Sequence, residues 1–291
     1  MYKNIPLRKI KIDDVSLGLR QIGNGDDMVF IHGFPTHGYT WRKLIPKLSH
    51  QFRCHILDLP GLGDSDWTAK TNFKSASQAG YVVKLLKKLG IKKYSLIAHN
   101  SGATVARVIA INENEKVENL ILLNTEIPHH RPPWIPFYQK MGLLPTVPSI
   151  IRRLLRQDWF IQSPMAFKEL YSDKSMLEDQ NHIAPYLNPI INSKQKTIGA
   201  FKYLKGIDWQ LVDQFEHTHK AIRADVLFLW GEDDKTFPIN LGKKMTKQFQ
   251  CKYEFIPIKN ASLLPHEEKP DEVANAILKF VETKYRIYNQ K

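Results

Sequence analysis

Short runs of Val, Ile, Leu and Phe recur along the chain, separated by longer stretches in which apolar residues return every three or four positions. Six runs are nearly continuous rather than alternating: MVFIHGF (28–34), FRCHILDL (52–59), YSLIAH (94–99), ENLILLN (118–124), ADVLFLWG (224–231) and KYEFIPI (252–258). Such runs read as strands buried on both faces. Between them, Val82, Leu85, Leu86 and Leu89, and later Val273, Ile277, Phe280 and Val281, stand at helical spacing. Strand alternating with helix predicts an α/β fold whose parallel sheet is covered on both sides. The opening IPLRKIKIDD and VSLGLRQIGNG read instead as a hairpin at one edge.

The alternation breaks between Pro128 and Thr218, a region that opens Pro-rich (HHRPPWIP) and continues helical and aromatic. An all-helical insertion between two strands of one sheet is the simplest account. It gives a core of residues 1–127 and 219–291 and a helical cap of residues 128–218. The cap is expected above the carboxyl ends of the strands, where ligands of open α/β sheets bind.

Composition changes this picture little. The 291 residues are 43% hydrophobic and 24% charged, ordinary for a globular protein. No apolar run is long enough to span a bilayer, and MYKNIPLRKIKIDD lacks the apolar core of a secretion signal, so a cytoplasmic protein with no membrane insertion is expected. Cys54 and Cys251 fall in predicted strands without a paired spacing, which points to free thiols. The net charge of +13 is spread along the chain with no aromatic-basic interleaving, which predicts a solvated surface and no nucleic-acid partner. One amphipathic stretch, PSIIRRLLRQDWF, sets Ile150, Ile151, Leu154, Leu155 and Trp159 opposite Arg152, Arg153 and Arg156. It reads as a cap helix packed on the core, with a membrane surface as the alternative.

Four short stretches fall at the carboxyl ends of predicted strands. In SLIAHNSGATVARVIA a strand stops and a helix starts at once, with Ala98 and Gly102 flanking Asn100 at the tip. A fold holds a nucleophile up on such a turn, and the turn needs small residues two before and two after. An Asn side chain, however, is a very poor nucleophile. His32-Gly33-Phe34-Pro35 follows the first buried strand, Asp58 to Ser65 (DLPGLGDS) follows the next, and Trp230-Gly231-Glu232-Asp233-Asp234 follows a later one. His129-His130 and His217-Thr218-His219 lack a Cys or carboxylate at set spacing, so they read as loop histidines and no metal site is expected.

The order and content of these stretches resemble the α/β-hydrolase superfamily over nearly the whole chain. They look most like the epoxide hydrolase and haloalkane or fluoroacetate dehalogenase group, in which an Asp attacks carbon. The resemblance implies an eight-stranded, mostly parallel sheet with a cap inserted after the sixth strand, a small-molecule substrate and no cofactor. It implies an oxyanion hole from the backbone N–H groups of Phe34 and Ser101, a structural role for the 58–65 loop, and an acid at Asp234, with Glu126 as the alternative. Dehalogenases acting on chlorinated alkanes tend to carry Asn where Phe34 stands, so the Phe leans away from them. The cap residues Trp134, Tyr138, Trp159, Tyr171 and Tyr186 are candidates to hold substrate. Family members typically read Gly-His-Phe where this chain has Ser262-Leu263-Leu264, so the histidine position holds Leu263. His266, three residues on, is the remaining candidate base.

Two of three triad positions thus depart from the pattern. Three functions stay open: a hydrolase of an epoxide, halide or ester working through position 100, a non-catalytic ligand- or partner-binding protein on the same scaffold, and a serine esterase using Ser101. The last puts His99 where a small residue is needed. A homodimer is compatible with the sequence.

Overall fold

The computed structural model describes residues 2–288. Its strands are β1 (Leu7–Ile12), β2 (Val15–Ile22), β3 (Asp26–Ile31), β4 (Phe52–Asp58), β5 (Tyr94–His99), β6 (Val117–Leu123), β7 (Asp225–Gly231) and β8 (Tyr253–Ile258). They form one sheet in the order β1-β2-β4-β3-β5-β6-β7-β8. β1 and β2 make the expected edge hairpin and β2 runs antiparallel to β4, while the remaining pairs are parallel. All six nearly continuous apolar runs are strands, but β8 is not buried on both faces: it closes the sheet edge with Tyr253 and Glu254 exposed.

Successive side chains of each central strand point to opposite faces, so a two-sided apolar run feeds two cores. On one face Val29, Ile31, Leu96, Leu120 and Phe228 pack with the helices Ser75–Lys88 and Ser101–Asn112. On the other, Met28, Phe30, Ile97, Ile121 and Leu227 pack with Trp41, Val273 and Ile277, the last two on the helix Pro270–Tyr288. The thiols of Cys54 and Cys251 are free. Cys54 is buried in β4, whereas Cys251 lies two residues ahead of β8 rather than inside it.

Among the described residues no strand occurs between β6 and β7; helices from Trp134–Met141 to Trp209–Thr218 form the cap. The amphipathic stretch is not one helix: Val147–Leu154 and Asp158–Ile161 are separated by a turn. Leu155, Phe160 and Ile161 face inward, but Ile150 and Trp159 face solvent.

Cap and core are joined through Glu267, a fully buried carboxylate. From the core it accepts hydrogen bonds from Thr40 Oγ1 (2.6 Å) and Arg42 Nη2 (3.3 Å); from the cap, from Tyr171 (3.2 Å), Tyr186 and His182 Nε2 (2.9 Å). Burial alone would raise its pKa, but the His182 hydrogen bond and the Arg42 charge hold it well below the usual carboxylate range. A buried charge stripped of its partner, or partners stripped of their charge, costs about 3–5 kcal/mol. Glu267→Ala should therefore lower the thermal unfolding midpoint and speed proteolysis of the cap. In the native chain a carboxylate depressed on folding stabilises above its unfolded pKa and loses that contribution as pH falls below about 4.5. Unfolding curves across acid pH should be flatter for the variant than for the native chain.

Candidate active site

The site is built around the end of β5. Asn100 takes φ 51° and ψ −131° and caps the helix Ser101–Asn112, its Oδ1 accepting from the Ser101 N–H at 2.5 Å. This is a rarely populated backbone conformation that persists only where the surroundings over-determine it. Here they do. A Cβ added at Gly102 would lie 2.2 Å from the His32 carbonyl oxygen, and one added at Gly33 would lie 2.5 Å from the Asn100 Cβ. The two loops meet backbone to backbone.

The N–H groups expected to form the oxyanion hole are both occupied. Phe34 N–H donates to Ser101 Oγ at 3.0 Å, and Ser101 N–H is taken by Asn100. Ser101 Oγ also lies 3.0 Å from the hydroxyl of Tyr203, a buried cap residue. Tyr203 was not among the candidates from sequence. Its signal was a stripe on the helix Lys194–Lys205, where Ala200, Tyr203 and Leu204 are all buried.

Asp234 is buried with no imidazole bonded to it. Its Oδ1 accepts from the N–H groups of Thr236 (2.7 Å) and Phe237 (3.1 Å), and its Oδ2 from Asn124 Nδ2 (2.6 Å). Burial pushes its carboxyl up to about 7 against the pull of these donors. Glu126 lies apart from it, bonded by Thr104 and Thr125 beside the buried Arg107.

The structure does not bring His266 to Asn100 or Asp234. Its Nε2 is 2.7 Å from Thr40 Oγ1, and its ring lies 4.5 Å from that of Trp41. Thr40 donates to Glu267, so His266 donates to Thr40 and belongs to the side of the Glu267 cluster. Burial lowers its pKa to about 4, which leaves it neutral near pH 7. Leu263 lines the cavity, and its carbonyl oxygen accepts from His99 Nε2 at 2.9 Å.

A cavity of about 120 Å³ opens above these residues. Phe34, Asn100 and Leu263 form its floor, and Trp134, Tyr138, Phe160 and Leu204 of the cap are among its walls. Of the cap candidates, Trp134 and Tyr138 are therefore at the cavity. Tyr171 and Tyr186 are not, because their hydroxyls are drawn to the buried Glu267 charge. Trp159 is not either: it is 64% exposed on the outer surface. Of the histidines expected in loops, His129 contacts Glu216 (2.8 Å), whereas His217 lies in the helix Trp209–Thr218 and His219 is buried in the turn His219–Ala221 against Gln248 (2.8 Å). The 58–65 loop is a brace, with Asp58 accepting from the N–H groups of Gly38 and Asp64.

Residues 28–269 match the α/β hydrolase fold family. The chain belongs to that family. It is similar to epoxide hydrolase 3 of Siraitia grosvenorii, 32% identical over 94% of this chain and 96% of that one. It is also similar to a pimeloyl-(acyl-carrier protein) methyl ester esterase of Vibrio vulnificus, 24% identical over 89% of this chain and 95% of that one. Among solved structures, the ligand-free epoxide hydrolase CorEH superposes with a TM-score of 0.81 at 22% identity, covering 96% of this chain and 99% of that one.

The buried carboxyl of Asp234 gives a measurable titration. A carboxyl whose pKa is raised on folding binds a proton more tightly in the native state. Its stabilising share is full below about pH 4 and is lost as pH rises through about 7. Native stability should fall across that interval by a few kcal/mol. Asp234→Asn should remove that slope in chemical unfolding followed at pH steps from 4 to about 8.

Proposed function

We propose that this member of the α/β-hydrolase family binds a compact, largely apolar small molecule in the cavity between cap and core, and does not turn it over as the sequence stands. The cap of this reading is residues 128–218, closing over a core of residues 1–127 and 219–291. The relatives named for epoxide and methyl ester hydrolysis support small organic molecules as the ligand class. The cavity supports the same class, since an apolar void of roughly 150 Å³ holds a single aromatic ring.

One observation carries the non-catalytic part. Leu263, at the position that the family resemblance gives to the histidine, lines the cavity floor, and Asp234, the matching acid position, is bonded to Asn124 and backbone N–H groups. General-base catalysis needs a base within hydrogen-bond reach of the attacking group, and neither Asn100 nor Ser101 has one. Ser101 Oγ is engaged by Phe34 and Tyr203 without an imidazole, which speaks against the serine esterase.

A second reading, hydrolysis through a carboxylate at position 100, has one observation in its favour. The Ser101 nitrogen lies 2.5 Å from Asn100 Oδ1, close to the side-chain amide it would attack in deamidation. That would release ammonia and, after water opens the ring, leave Asp.

Incubation with styrene oxide and with p-nitrophenyl acetate tests both. The native chain is expected to leave both intact above background while its thermal midpoint rises with ligand. The double variant Asn100→Asp/Leu263→His is expected to exceed the native rate by about 10³-fold. Turnover by native chain whose peptide mass still reads Asn at position 100 would overturn the proposal. Turnover that grows with the mass gain of deamidation would favour the second reading.

A further inference from the structure

We propose that the outer face of the cap docks on an anionic lipid bilayer, with the cavity opening turned toward the lipid. Eight large apolar side chains are exposed among the described residues, and six of them lie between positions 137 and 165: Phe137, Leu143, Leu144, Ile150, Trp159 and Met165. Scattered exposed apolar residues need no explanation, but a concentration in one short segment does.

The segment that carries these side chains also supplies part of the cavity lining. Met165 is both exposed and part of the cavity lining, and Phe137, Ile150 and Trp159 are the sequence neighbours of the lining residues Tyr138, Ile151 and Phe160. Tyr138 donates to the Met165 carbonyl at 2.8 Å, tying the first cap helix to the turn at the rim. The helices Trp134–Met141 and Val147–Leu154 both pack on Lys194–Lys205, which supplies Ala200, Phe201 and Leu204 to the lining of the same cavity. The apolar surface is thus continuous with the apolar interior.

Charge selects the occupant. Between 137 and 165 the chain carries Lys140, Arg152, Arg153 and Arg156 against Asp158, with the opposite charges Lys168 and Glu169 just beyond, on a protein of net charge +13. A second copy would bring the same cations face to face in a two-fold interface. An anionic membrane surface attracts them instead, and long basic side chains can lie with their stems along lipid and their heads among phosphates. Ile150 and Trp159 are exposed in the same segment as Arg153 and Arg156, and exposed aromatic and aliphatic side chains mixed with Arg suit the headgroup region of a bilayer. Among the described residues no helix is long and apolar enough to cross a membrane, so the contact is peripheral.

Co-sedimentation of the full chain with vesicles tests this. Vesicles of phosphatidylcholine containing one-quarter phosphatidylglycerol should carry the protein down, and pure phosphatidylcholine or raised salt should weaken binding about tenfold. Ile150→Ser/Trp159→Ser should weaken it by about tenfold through lost apolar burial. Arg153→Glu/Arg156→Glu should abolish preference for the anionic vesicles. All four side chains are exposed, so near-ultraviolet circular dichroism should match the native chain. Absence of co-sedimentation, or native-like binding by both variants, would overturn the proposal. So would a native dimer in sedimentation velocity that Ile150→Ser/Trp159→Ser dissociates, since the face would then be a contact between copies.

Discussion

The loops after β3 and β5 touch backbone to backbone, and most of what is distinctive in this molecule follows from that contact. Gly33 and Gly102 are the only residue types with room there: a methyl at Gly102 would sit 2.2 Å from the His32 carbonyl oxygen. With the loops so close, the chain must reverse within one residue from strand to helix, and Asn100 absorbs the reversal at φ 51°. The contact brings Phe34 beside Ser101 and sets both under the cap, where Tyr203 completes the cluster.

The polar groups this geometry gathers are satisfied by one another. Asn100 takes the Ser101 N–H, Ser101 takes the Phe34 N–H, and Asp234 takes Asn124 and two backbone donors. A buried donor already paired gains little from a ligand acceptor, because a new bond must replace an old one. Preorganised donors are what stabilise a developing negative charge, and here each is already engaged within the protein. The cavity lining around them includes Phe34, Asn100 and Leu263.

The sheet was legible because buried parallel strands leave a mark that local chemistry cannot disguise: five nearly continuous apolar runs became the buried strands β3 to β7, while the sixth became β8, an edge strand largely open to solvent. The elbow was legible for a similar reason, since the small residues Ala98 and Gly102 are demanded by the turn itself. What escaped depended on contacts between distant segments. Tyr171 and Tyr186 looked like ligand-holding aromatics, yet nothing local to them announces that Glu267, some eighty or more positions on, draws their hydroxyls away. His266 misled likewise, because its position beside Glu267 made it part of the Thr40 and Trp41 packing. Tyr203 carried only an ordinary helical stripe, and its approach to Ser101 is set by how the cap lies on the core. The amphipathic stretch after Pro148 showed its two faces, but not the turn near Arg156 that leaves Trp159 outward.

Backbone strain at an elbow is commonly taken as a sign of chemistry, and here it deserves a different weight. Relaxing Asn100 would require the β3 loop to move away from Gly102, and with it the His32 ring that accepts the Leu59 N–H at 2.9 Å. The strain is therefore held by the packing of the sheet's centre, and it would persist whether or not position 100 reacts. The inference from an outlier runs toward a hypothesis of function, and the groups around the outlier must then choose among hypotheses. At this elbow they are bonded to one another, and the cavity over them is lined largely by apolar cap residues. An apolar guest partitions into lipid more readily than it dissolves in water, which gives a cavity of this kind a physical reason to open on a bilayer.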